Sequence, residues 1–181
     1  MLLGLARAAL ATATGRADLA TFEQALQRAA GADEPAAVFV TLTEHEELRG
    51  CIGTLDARRP LCRAVAASAI SAALDDPRFA PVSADELPAI HVEISVLGPF
   101  HQLVDQDAFR PGIDGLVVES GGHVALLLPE VATTSSWRAL EMFTAVCRKA
   151  GLPSDAWRDP RTRLSVFRTD RFGGPAIESA S

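Results

Sequence analysis

Tyrosine is absent from this chain, and methionine and tryptophan occur twice each. Of its 17 basic residues only Lys149 is a lysine. Against 23 acidic residues this leaves a net charge of −6 and a pI near 5.2. An acidic chain with no basic or aromatic stripe has no means of neutralising many phosphates, so nucleic acid and anionic membranes are excluded as expected partners. Preference for arginine over lysine gives a compositional expectation of a GC-rich bacterial source. The three cysteines, Cys51, Cys62 and Cys147, are odd in number and form no C-x-x-C. That argues against a disulfide scaffold or a cysteine zinc site and fits a reducing cytoplasm. No G-x-G-x-x-G, Walker loop or G-x-S-x-G occurs, so no cofactor is named. His45, Glu46 and Glu47 lack the H-E-x-x-H spacing and read as a turn, and His101 and His123 stand alone, so no metal is expected. The start, MLLGLARAALATATG, lacks a basic leading region and is interrupted by Arg7, so it reads as a helix and not as a signal peptide. No apolar run is long enough to cross a bilayer.

What is present is an ordinary globular composition: 48 % hydrophobic and 22 % charged over 181 residues. A chain of that length buries about 70 % of its unfolded surface without staples. It suits one domain, or two small lobes. Leu2, Leu5, Ala6, Ala9 and Leu10 recur at helical spacing, as do Leu19, Phe22, Leu26 and Ala29. VFVTLTEHEELRGCIGTL then alternates like a hairpin, with its polar tip over 43–47. An alanine-rich helix follows over 61–76, ended by Pro77, with Ser83 and Glu86 at capping-box spacing. IHVEISVL has one apolar face and a polar face of His91, Glu93 and Ser95.

The order then repeats. DGLVVES, a Gly121-Gly122 turn and HVALLLPEV form a second hairpin. A helix capped by Ser135 or Ser136 and closed by Gly151 follows, and LSVF is the closing strand. The expectation is therefore an α+β fold of two hairpin–helix–strand repeats, 38–97 and 115–168. Segment lengths suit a mixed or antiparallel sheet flanked by helices. From residue 173 the Gly, Pro, Ala and Ser composition predicts a mobile tail, leaving 1–172 as the domain.

Three segments carry chemistry. In LRGCIGTL, plain alternation puts Arg49, Cys51 and Gly53 on one face and Leu48, Gly50, Ile52 and Thr54 on the other. Glycines in a strand mark a bulge or a close approach. One reading is a thiol exposed between bare backbone positions, with Arg49 favouring the thiolate. The other is a small packed cysteine, with glycines serving tight contact to the alanine-rich helix. In DDPRF, Asp75 and Asp76 lie at a helix C-terminus, where the macrodipole disfavours an anion by about 0.3–1 kcal/mol. Pairing with Arg78 or another arginine offsets that, unless the carboxylate serves a ligand. On IHVEISVL, Glu93 is a candidate base if its face lines a cleft. Arg158, Arg161, Arg163, Arg168 and Arg171 cluster near the end and read as a solvated strand with its connections.

Taken together, LxLAR, VFVTL, LRGCIGTL, AxxAALDDPRF, ELPxIHVEISVL, GxDGLVV, LLLPEVA and CRKAGL resemble the AMMECR-type domain family over about residues 2–172. Its prokaryotic members are called AmmeMemoRadiSam system protein A. The resemblance implies a duplicated α+β fold with a barrel-like sheet and a site at Leu48–Gly53 near a cleft. It also implies association with a Memo-type protein and a radical S-adenosylmethionine protein. Glu130 stands where many members have glutamine, and Asp114 where some have histidine.

Two functions follow from these readings. The first is a binding or accessory component using Leu48, Gly50, Ile52, Gly53 and Thr54, with Asp76 and Arg78. The alternative is an enzyme with Cys51 as nucleophile, Arg49 tuning it and Glu93 assisting.

Overall fold

The computed structural model describes residues 1–177, and these divide into two compact units. Unit 1 takes in residues 1–97 and 170–177; unit 2 takes in Gly98–Thr169.

Unit 1 begins with helices α1 (Leu2–Ala13) and α2 (Leu19–Arg28). Asp18 caps α2 through the Thr21 N–H at 2.9 Å. Strands β1 (Val38–Glu44) and β2 (Glu47–Thr54) form the expected hairpin. Its tip places His45 and Glu46 at φ 50° and 69°, the left-handed pair of a primed turn. Helix α3 (Leu61–Leu74) and strand β3 (Ile90–Leu97) complete the first repeat. Val38, Val40 and Leu42 of β1 and Val92 and Ile94 of β3 are fully buried, with Leu5 and Leu10 of α1 and Ala64, Val65, Ala69 and Ala72 of α3 in the same core. The alanines of α3 let its backbone come within reach of the sheet. A Cβ on Gly50 would overlap the Ala72 carbonyl oxygen.

Unit 2 contains β4 (His101–Gln102), β5 (Gly115–Ser120), β6 (His123–Leu127), α4 (Glu130–Thr134), α5 (Ala139–Lys149) and β7 (Arg163–Phe167). Strand β8 (Thr169–Pro175) follows and belongs to the sheet of unit 1. Gly121 and Gly122 make the β5–β6 turn at φ 56° and 84°, and Gly151 follows α5 at φ 74°. Phe143 of α5 packs between Phe109 and Trp157, with ring centroids 5.2 and 5.1 Å apart. Cys147 is sealed in this core, and burial pushes its thiol pKa up.

The architecture is α+β, with the order hairpin, helix and closing strand occurring twice; among the described residues the strands show no closed barrel. They form two antiparallel sheets with open ends, ordered β2-β1-β3-β8 and β4-β7-β5-β6. Each hairpin pairs with the closing strand of its own repeat, so each repeat makes its own sheet. Two further expectations change. The long helix starts at Ala139, where the Glu141 carboxylate accepts the Arg138 N–H at 3.0 Å. Residues 130–134 form the separate turn of α4, and Ser136 sits at φ 54°. The tail expected from residue 173 is ordered through Pro175 in β8, and Ala176 is buried against the unit 1 core. A Cβ on Gly173 would crowd the Val92 carbonyl and His91, so the bare glycine permits this approach. Residues 178–181 of the expected tail lie outside the described residues. No described helix is long and apolar enough to cross a membrane.

Candidate functional site

The LRGCIG segment lies on β2, at one end of the unit 1 sheet. Its register breaks between Leu42, which faces Gly50, and Thr43, which faces Leu48. Arg49 is the extra residue of a β-bulge, which re-aims its side chain. The bulge also shifts the alternation expected from the sequence. Leu48 faces Thr43 and Cys51 faces Thr41, so Leu48 and Cys51 share one face, while Gly50, Ile52 and Thr54 face the core residues Leu42, Val40 and Val38.

The bulged Arg49 is engaged by a carboxylate. Its Nε donates to Glu86 Oε1 at 2.8 Å, and its guanidinium lies 6.0 Å from the Phe79 ring centroid. The other Glu86 oxygen accepts the Ser83 N–H at 2.7 Å, the contact that the capping-box spacing predicted. Arg49, and then the Ser83 N–H, hold the Glu86 carboxyl below its usual range. Arg49 Nη1 is buried without a hydrogen-bond partner among the described residues.

DDPRF and the motif strand are one structure. Alternate residues of an edge strand turn N–H and C=O away from the sheet. Cys51 is such a residue: its N–H donates to Asp76 Oδ2 at 2.9 Å and its carbonyl accepts Arg78 Nη2 at 3.3 Å. Asp76 and Arg78 are themselves joined at two points, Nε to Oδ1 at 2.9 Å and Nη2 to Oδ2 at 2.6 Å. This two-residue clamp satisfies the edge as a neighbouring strand would. The Asp76 side chain is 2 % exposed. The Arg78 guanidinium, aided by the Cys51 and Arg78 N–H groups, holds its carboxyl far below the ordinary range against the opposing effect of burial. The guanidinium is also what offsets the carboxylate's unfavourable place after α3.

The third candidate, Glu93, is in the same cross-strand row. Thr41 of β1 faces Cys51 on one side and Glu93 on the other. Cys51 Sγ lies 3.3 Å from the Thr41 hydroxyl. Two strand spacings of about 4.8 Å separate Cys51 from Glu93, far beyond a hydrogen bond of about 3 Å. Glu93 pairs instead with Arg171 at 3.5 Å. The structure thus brings Cys51 together with Asp76 and Arg78, and leaves Arg49 with Glu86 and Glu93 with Arg171. Thr41, Phe79 and Glu86 were not anticipated as site residues. For Glu86 the capping-box spacing was the available signal; Thr41 follows only from the register.

The glycines of the motif are filled from within. Ala72 occupies the space at Gly50, and a Cβ on Gly53 would overlap the Phe39 ring and the Val38 carbonyl. A cavity of about 140 Å³ opens on the opposite side of the strand from the thiol, bounded by Ile52, Gly53, Thr54, Arg59, Ser68 and Ser71. Drug-sized ligands occupy about 300–1,000 Å³, so this space suits a single inserted side chain. Cys62 and Cys147 are buried and Cys51 is half-buried; all three are free thiols. No cluster of metal-ligating side chains occurs among the described residues.

These features define a duplicated α+β protein whose motif strand is clamped at its edge by a buried aspartate–arginine pair. The chain belongs to the AMMECR1 family, whose profile matches residues 3–172. A protein of Methanothermobacter thermautotrophicus is 48 % identical over 141 residues, covering 75 % of this chain and 73 % of that protein. One of Pyrococcus furiosus is 43 % identical over 149 residues, covering 77 % and 71 %. The crystal structure of an uncharacterized protein from Pyrococcus horikoshii superimposes with a TM-score of 0.82 at 35 % identity, covering 96 % of this chain and 91 % of that one. These relatives are archaeal and lend no support to the bacterial source expected from arginine usage.

Proposed function

We propose that this protein is a binding or accessory component that receives one side chain of a partner protein in the cavity beside Ile52, Gly53 and Thr54. The observation that carries the reading is that cavity, whose size admits an anchor side chain and whose lining includes the polar side chains of Arg59, Ser68 and Ser71. The enzyme alternative is disfavoured by the row of Cys51, Thr41 and Glu93, in which the thiol meets a hydroxyl and the carboxylate is engaged by Arg171. A Memo-type protein and a radical S-adenosylmethionine protein are the partners to test first, since the family resemblance implies them.

The test is association with each purified partner by calorimetry, using the intact chain, Cys51→Ser and Ser71→Leu. Cavity filling by Ser71→Leu is expected to weaken binding at least tenfold, with Cys51→Ser unchanged. Loss of binding in Cys51→Ser with the fold intact would overturn the reading. Iodoacetamide labelling at graded pH tests the enzyme alternative separately. Half-buried Cys51 is expected to react slowly in the native protein, and Cys62 and Cys147 only after denaturation. Rapid labelling of Cys51 below pH 7 would favour a nucleophile instead.

A further inference from the structure

A second cavity lies in unit 2, between Gly98 and Arg168 in sequence. It measures about 370 Å³, inside the range of small-molecule sites. Its walls combine three basic side chains with an apolar surface: Arg110, Arg168 and His101 on one hand, Pro99 and Phe167 on the other, with Asp114 between the two arginines.

Each wall is fixed by the fold. Phe167 ends β7 opposite Gly115 of β5, and its ring occupies the space a Cβ would take there. Phe167 is 1 % exposed and is braced edge-on by Phe100 at 5.3 Å. His101 of β4 faces Val166 in register and projects at the rim. Asp114 is 7 % exposed at its side chain, and Arg110 grips it through Nε at 3.1 Å and Nη2 at 3.2 Å. The Arg110 N–H adds a third contact at 3.1 Å. Arg168 approaches the same carboxylate only to 3.7 Å, outside hydrogen-bond distance, and its side chain is 66 % exposed.

The charge balance is uneven. Two guanidinium groups share one carboxylate, leaving one net positive charge. Arg110 is committed to Asp114; Arg168 is held by attraction alone, so its planar fork of donors is available. A guanidinium fork beside apolar walls is suited to a carboxylate carried on a compact apolar body. The geometry points to this cavity as a binding site for a small organic carboxylate, with Arg168 as the group that pairs with the carboxylate, Pro99 and the half-buried Val166 receiving the apolar part, and buried Phe167 backing them. The site is independent of the motif on β2.

The experiment is a ¹H–¹⁵N NMR titration of the full chain with benzoate. Benzyl alcohol supplies the same body without charge, and inorganic phosphate supplies charge without the body. Benzoate is expected to shift the amides of residues 98–101, 110–114 and 166–168 saturably, and both controls to bind at least tenfold more weakly. Arg168→Gln, at an exposed side chain that leaves the Arg110–Asp114 pair intact, is expected to weaken benzoate binding about tenfold; Arg168→Lys is expected to recover part of it. The spectrum of each variant verifies its fold. Absence of a saturable shift at these amides, phosphate binding as tight as benzoate, or undiminished benzoate binding in folded Arg168→Gln would each overturn the assignment.

Discussion

Replacing Asp76 by alanine tests whether the clamp on the motif strand stabilises unit 1. The variant removes the acceptor of the Cys51 N–H, a hydrogen bond to a charged group worth about 1.5–3 kcal/mol. It also removes the pairing with Arg78, whose side chain is 53 % exposed, so that contribution is screened to about 0–1 kcal/mol. Loss of an anion from the end of α3 relieves about 0.3–1 kcal/mol. The net expectation is a loss of about 2 kcal/mol, or about 4–8 °C in Tm for a chain of this length. Asp76→Asn keeps one acceptor oxygen and is expected to fall between alanine and the parent. Both tryptophans, Trp137 and Trp157, lie in unit 2. Fluorescence therefore reports on that unit, while far-UV circular dichroism reports on both, and the shift is read from circular dichroism melts. A loss below about 0.5 kcal/mol for Asp76→Ala, or an Asp76→Asn variant as stable as the parent, would refute the clamp.

Gly50→Ala forces a Cβ into the Ala72 carbonyl and is expected to cost about 2–3 kcal/mol, whereas Gly4→Ala, in open space on α1, is expected to gain about 0.5–1 kcal/mol; urea denaturation compares the two. Ser95 is 1 % exposed and its hydroxyl has no partner among the described residues, so Ser95→Ala is expected to leave Tm unchanged or raise it, and a clear drop would reveal a hidden partner. Asp76 and Glu86 both have depressed folded pKa values, so they bind protons more readily unfolded. Their contribution is complete above the unfolded values near about 4 and is lost as pH falls below that. Stability measured between pH 7 and pH 2 should fall below about pH 4, and less steeply in Asp76→Ala.

The elements were legible because their signals are local. Period-two alternation marked β1 and β3, the Gly121-Gly122 pair fixed a primed turn, and Pro77 and Gly151 bounded helices. Two repeats could be counted from those marks alone. Which strands share a sheet is a non-local fact: both repeats supply antiparallel strands, and nothing in either hairpin states whether the two sheets merge or stay apart. Strand β8 escaped notice because Gly173 and Gly174 have the composition of a loose tail. Their bare backbones instead allow approach to His91 and Val92 in one case and to Arg7 in the other.

Within the site, Asp76 was readable because a carboxylate at the end of α3 demands a cation, and Arg78 stood two residues away. The bulge at Arg49 was not readable as a specific register. A strand of LRGC can alternate or bulge, and the choice is made by how Gly50 must sit under Ala72 while Arg49 reaches Glu86, 37 residues on. That choice also decides chemistry. It sends the guanidinium toward a carboxylate and away from the thiol, and turns the adjacent glycines into packing surface. A cysteine flanked by glycines and arginine therefore has the composition of a reactive centre, while the register makes it the middle of a clamped edge. A recognition role for this strand would use what the clamp leaves open, the side at Ile52 and Thr54 where the cavity against α3 lies.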